Sequence, residues 1–237
     1  MDPDQAVLAP ARGGGRVAER PNVAPTSRQM WRRWLKQHHA TASGVWLVFA
    51  KKHTGFSCPT YSEAVEEALC FGWIDSVMAP VDGDFYRQLF TPRKPRSAWA
   101  ATNKARVARL IEQGLMTPAG MAAIDLAKQN GSWSTLDAAE SLTVPTELRR
   151  ALNANAQARK HWPGFTDSQR RQFLYWLAGA KREETRAARI VAIVERAAKK
   201  ITPGQAYEAS RRERTRTTTK TTKTRKARKA AKASQPP

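Results

Sequence analysis

Apolar residues recur along this chain at two different periods. Met30, Trp31, Trp34, Leu35 and His38 sit at helical spacing, one face of a helix over about 27–39, and Thr26 and Gln29 have capping-box spacing at its start. Val45-Trp46-Leu47-Val48-Phe49-Ala50 is instead an unbroken apolar run, β-branched and aromatic, behind Gly44. Such a run suits a strand buried on both faces. Thr60 and Glu63 repeat the capping-box spacing and open a second helix through Ala64, Val65, Ala68 and Leu69 that ends near Gly72. Two extended segments, 73–79 and 85–90, then flank Asp82-Gly83, a strong short-range hairpin signal.

From Ser97 onward the pattern is helical. Ser97 is a candidate cap for a helix carrying Val107, Leu110 and Ile111, stopped by Gly114. Thr117-Pro118 begins another, cap followed by proline at the first helical position, and it runs through Ile124 and Leu126 to Gly131. A short helix over about 146–153 follows. Thr166 with Gln169 caps a helix bearing Phe173, Trp176 and Leu177, and Ile190, Ile193, Val194 and Ala197 mark the apolar face of a closing helix over about 183–200. The expected fold is therefore α+β: a small antiparallel sheet with flanking helices (23–115), a helical part (116–205), and two segments without periodicity, a leader over 1–22 and a disordered tail over 206–237.

Charge adds a second layer. The chain of 237 residues carries 41 Lys and Arg against 20 Asp and Glu, a formal net charge of +21. Residues 211–237 hold eleven of those cations, Arg211, Arg212, Arg214, Arg216, Lys220, Lys223, Arg225, Lys226, Arg228, Lys229 and Lys232, against Glu213 alone. Nearly half the net charge thus lies in a segment with no Leu, Ile, Val or aromatic residue, which cannot bury a core. Spaced cations among Ala and Thr suit sequence-independent contact with phosphate backbones through counterion release, and duplex DNA, RNA and an anionic membrane surface all fit that chemistry. The missing aromatics leave the tail no platform on which single-stranded bases stack.

Other classes are excluded. No apolar run is long enough for a transmembrane helix. Met1-Asp2-Pro3-Asp4 lacks the basic start and apolar stretch of a signal peptide, so the expected location is cytoplasmic, with association to the nucleoid through the tail. Two cysteines, Cys58 and Cys70, make neither a disulfide framework nor a zinc site, and His38, His39, His53 and His161 form no metal-ligand spacing. No cofactor motif is present.

The densest polar stretch is 90–99, Phe-Thr-Pro-Arg-Lys-Pro-Arg-Ser-Ala-Trp, followed one turn later by Asn103. Its prolines predict an extended loop displayed by the scaffold. Trp73, Asp75, Arg93, Lys94, Ser97, Trp99 and Asn103 form the candidate site. Cations beside a helix start capped by Ser97 would attract a phosphate, a carboxylate or a nucleic-acid backbone. Equally, Arg93 has Asp75 or Asp84 of the preceding hairpin as an internal partner.

Three stretches carry a family resemblance. Tyr61-Ser-Glu-Ala-Val-Glu-Glu-Ala-Leu-Cys-Phe-Gly-Trp-Ile-Asp-Ser76, then 90–103 with 114–120, then Trp176-Leu-Ala-Gly-Ala-Lys-Arg-Glu-Glu-Thr-Arg186 with Arg189-Ile190 resemble the bacterial YdeI/OmpD-associated (OmdA-like) family over roughly 25–200. The resemblance implies bacteriocin or antimicrobial-peptide protection, a stress-response role and association with an outer-membrane porin, and it brings no catalytic residues. The missing signal peptide argues against the porin association. The first half is also similar to small cytoplasmic domains of the YdhG type. Three functions follow as expectations: a non-catalytic protection or stress protein binding an unknown protein or small anion; a nucleic-acid-associated protein acting through 211–237; and an enzyme with a site around Asp75 and Arg93.

Overall fold

A computed structural model describes residues 7–8 and 20–212. They divide into two compact units, the first ending at Leu136 and the second beginning at Asp137.

In the first unit, β1 (Val7–Leu8), β2 (Asn22–Val23), β3 (Val45–Ala50), β4 (Trp73–Pro80) and β5 (Phe85–Pro92) form one sheet in the order β1-β2-β3-β5-β4. The sheet is mixed where the sequence predicts an antiparallel one. Helix α1 (Arg28–His38) carries the chain from β2 across to β3, so Asn22 and Val23 run parallel to Trp46 and Leu47, while the remaining pairs are antiparallel. β1 and Asn22 of β2 fall inside the expected leader. Two-residue strands have no period of their own, and they exist here through pairing alone. Residues 1–6 and 9–19 of the leader lie outside the described residues.

β3 is the buried strand its composition predicts, with Val45 through Phe49 all enclosed. Trp46 is covered by the Arg87 guanidinium, 4.5 Å from the ring centre, and Arg87 is anchored to Asn22 at 3.0 Å. The β4–β5 hairpin forms around Asp82-Gly83. The Asp82 carboxylate closes it by accepting from the backbone N–H groups of Asp84 and Phe85, both at 2.8 Å.

Helices α2 (Tyr61–Cys70), α3 (Ala101–Glu112) and α4 (Pro118–Gln129) complete the unit. Their apolar faces join α1 and β3 in one core that includes Trp31, Leu35, Leu47, Phe49, Leu69, Trp73, Phe90, Trp99, Leu110 and Ile124. α4, expected in the second part, thus belongs to the first, and the division falls after Leu136 and not after residue 115. Thr60 with Glu63 forms the reciprocal capping box of α2, and Thr117 caps α4 ahead of Pro118, both as the spacing predicts. α1 is capped by Ser27 and not Thr26: the Ser27 hydroxyl accepts from the Met30 N–H, while the Thr26 hydroxyl turns to the Met30 sulfur.

The second unit is all helical: α5 (Asp137–Glu140), α6 (Thr146–Ala154), α7 (Ala156–His161), α8 (Asp167–Ala178), α9 (Glu183–Ala198) and α10 (203–212). Its core joins Leu148, Leu152, Phe173, Leu177, Ile193 and Ala197 around Trp162, Phe165 and Phe173 in edge-on and tilted contact. Ile193 and Ala197 are fully buried, the face that the period of α9 predicts. Residues 206–212, expected in the disordered tail, are helical. Thr202 and Gln205 cap them reciprocally ahead of Pro203, and Ala206 is buried. No helix among the described residues is long and apolar enough to cross a membrane.

Candidate functional site

The polar cluster of the first unit is built by three elements meeting near the start of α2. Asp75 on β4 is the hub. Its Oδ2 accepts from the Tyr61 hydroxyl at 2.8 Å and from the Gln88 amide of β5 at 3.2 Å. The capping box at Thr60 fixes the first turn of α2 and so the position of Tyr61. Burial, and then the bond to Asp75, push the Tyr61 hydroxyl up to about 12, so it stays a donor.

Arg93 leaves β5 where its backbone N–H still bonds the Gly72 carbonyl at 2.9 Å. Its Nη2 donates to the Ala98 carbonyl at 2.9 Å and reaches the Ser97 carbonyl at 3.5 Å, and its guanidinium lies 3.8 Å from the centre of the Trp99 ring. Burial pulls the group down to about 10, opposed by the charge of Asp75, so it remains a cation at neutral pH. The two internal partners weighed for Arg93 are otherwise engaged: Asp75 by Tyr61 and Gln88, Asp84 by His53 at 3.1 Å. The loop is further pinned at Pro95, whose carbonyl accepts from Asn130 at 2.7 Å and from the Ser132 hydroxyl at 3.4 Å.

Ser97 does not cap a helix. Its N–H closes a turn onto the Lys94 carbonyl at 2.9 Å, and α3 begins four residues later behind Ala100, which supplies no side-chain cap. By holding the Ser97 and Ala98 carbonyls, Arg93 keeps this stretch as a loop. The expected anion site at a Ser97-capped helix start is therefore not formed in that way. Trp73 and Trp99 are core residues, each about 1% exposed, and the Trp73 indole N–H donates to the His39 carbonyl at 3.1 Å. Asn103 accepts from Arg106 at 2.9 Å, and the Arg106 charge reaches Tyr61. Lys94 and Arg96 are exposed.

Tyr61, Gln88 and Arg106 were not expected in the site. Tyr61 and Asp75 lie fourteen residues apart, on different elements, and nothing in the local pattern joins them. The one available signal is that Tyr61 directly follows the capping residue Thr60. Of the four tyrosines, Tyr61 and Tyr175 are held near 12, Tyr175 by burial and a bond to Glu140. An ultraviolet titration of the folded chain should show these two ionising last. Tyr61→Phe should remove one late component, and loss of an early component instead would contradict the Asp75 bond.

Among the described residues no group of three or more His, Cys, Asp or Glu lies together as metal ligands would. Of the eleven tail cations, Arg211 and Arg212 close α10. Arg214, Arg216, Lys220, Lys223, Arg225, Lys226, Arg228, Lys229 and Lys232 lie outside the described residues.

Two family models match the chain, one in each unit. Residues 23–123 match a domain of unknown function, DUF8412. Residues 141–200 match OmdA, described as bacteriocin-protection, YdeI or OmpD-associated. The second unit is OmdA-like. The motifs over 61–76 and 90–120, read above as part of the same family, fall in the stretch that the other model covers. In the OmdA-like unit the matched stretch takes in α6 to α9, including the Trp176–Arg186 segment quoted for the resemblance. No curated protein matches the chain, and no solved structure does.

Proposed function

We propose that the chain is a non-catalytic protection or stress-response protein, held on nucleic-acid backbones by its basic C-terminal segment, with the first unit binding a protein partner or small anion. The observation that carries the nucleic-acid part is the run of eleven Lys and Arg with one Glu that begins at the end of α10. A folded helical unit passes there directly into a phosphate-neutralising segment. The protection part rests on the OmdA match. A binding role for the first unit draws support from the engagement of its polar groups: the Asp75 carboxylate is held by Tyr61 and Gln88, and Arg93 by two carbonyls and Trp99. Both groups act as struts, leaving Lys94 and Arg96 as the exposed cations of the loop. An enzyme built on Asp75 and Arg93 draws less support from the same bonds. On this reading the protein works in the cytoplasm, at the nucleoid.

Each part has its own test. Deleting the gene should raise sensitivity to cationic peptides or bacteriocins, and unchanged sensitivity across a panel would overturn the protection role. Deleting 211–237 should abolish retention of the protein on duplex DNA, and undiminished retention would overturn the nucleic-acid role.

A further inference from the structure

α10 does more than lead into the basic segment. Its first turn is fixed by the Thr202–Gln205 box, and Ala206 is buried against the unit. This seats Tyr207 at an open cleft of about 450 Å³ lined by Phe173, Tyr175, Trp176, Arg196, Ala206 and Tyr207. Tyr207 is 62% exposed although its helix is docked, an unusual outlay of aromatic surface. Trp176 carries two guanidinium groups over its ring system, Arg196 at 4.5 Å and Arg189 at 5.3 Å, and Arg189 also donates to the Trp176 carbonyl. Flat rings and fixed positive charge thus share one opening, four residues before Arg211.

We propose that this cleft takes an unpaired base of single-stranded nucleic acid, its ring stacked on Tyr207 and its phosphate facing Arg196. The inference rests on the nucleic-acid reading of the basic segment and narrows it. The segment itself, without aromatics, attracts duplex and single strands alike. Stacking does not: every base has a flat face, but pairing hides it within a duplex. The cleft therefore supplies the discrimination that the segment lacks, on strands that the segment has already concentrated beside it.

The test measures binding of the full chain to short fluorescent oligothymidylate, oligouridylate and a blunt mixed-sequence duplex, all at one salt concentration. Tyr207→Ala should weaken both single strands by about fivefold or more, as removal of one stacking ring does, with duplex affinity unchanged. Tyr207→Phe, which keeps the ring, should bind like the parent. A loss confined to oligouridylate or to oligothymidylate supports the cleft and assigns it to RNA or to DNA. Equal weakening of duplex and single strands, or no weakening, overturns the proposal. If Tyr207→Ala has no effect while deletion of 211–237 removes all binding, the backbone role stands and the cleft alone is refuted. If that deletion changes nothing, the backbone role itself fails.

Discussion

Glu67→Ala should be among the most destabilising single changes in the first unit. The carboxylate is 2% exposed and holds two cations of α1 at once, Arg28 and Arg32, each at 2.6 Å. Both guanidinium groups are raised above their ordinary value: burial pulls them down, and hydrogen bonding and attraction from Glu67 outweigh it. Arg32 in turn donates to the Leu115 carbonyl at 2.8 Å, so one acid ties α2 to α1 and to the chain beyond α3. Removing one partner of a buried pair costs about 3–5 kcal/mol, and the low end, about 3, applies because the arginines are partly exposed and can rehydrate. Six of the eight tryptophans, Trp31, Trp34, Trp46, Trp73, Trp99 and Trp133, lie in this unit, so denaturation followed by tryptophan fluorescence reads mainly its unfolding. Glu67→Gln should fall between Glu67→Ala and the parent. Stability equal to the parent for Glu67→Ala would mean that the pairing does not hold the helices together.

Gly120→Ala should also destabilise, against the ordinary direction of such a change. Within a helix, Ala is better than Gly by up to about 1 kcal/mol. Here a methyl group at residue 120 would stand 2.3 Å from the Cys70 carbonyl oxygen and 2.7 Å from its carbon. These are main-chain atoms at the end of α2 and cannot swing aside. The same oxygen accepts from the Thr117 hydroxyl at 2.6 Å and from the Thr117 N–H at 3.1 Å, so α4 is clamped to α2 at the point of collision. Overpacking costs about 1–3 kcal/mol, and straining two hydrogen bonds adds roughly 1 kcal/mol each. The net loss expected is about 2–4 kcal/mol by chemical denaturation. A neutral or stabilised variant would show that the helices are not in such close contact.

Much of this fold is legible because its signals are local. The Thr60–Glu63 and Thr166–Gln169 boxes, Thr117-Pro118, the run 45–50 and the hairpin about Asp82-Gly83 each lie within a few residues, and each forms as its pattern predicts. The Thr202–Gln205 box has the same form, but its helix lies under the shadow of the cationic run and reads as tail. Elsewhere a distant partner decides. Ser97 has the chemistry of a cap, yet Arg93 holds the carbonyls at 97 and 98 and delays α3 to Ala101. The candidate site was half legible: Asp75 and Arg93 were found from their setting, whereas Tyr61 and Gln88 reach Asp75 only through folding. Trp73 and Trp99 read as site residues because they flank that polar loop, and their burial makes them supports.

The same separation applies to the charge. Half of it belongs to folded units in which many cations already have partners, such as Arg186 with Glu147 and Arg170 with Asp167. The other half lies in 211–237, and the nucleic-acid reading depends on that half. Its most direct measurement is the salt dependence of duplex binding for the full chain and for the chain ending at Ser210. With about eight phosphate contacts, the logarithm of the binding constant should fall with the logarithm of salt concentration at a slope near −7. The shortened chain should bind weakly with a shallow slope. Equal slopes for the two would contradict the account.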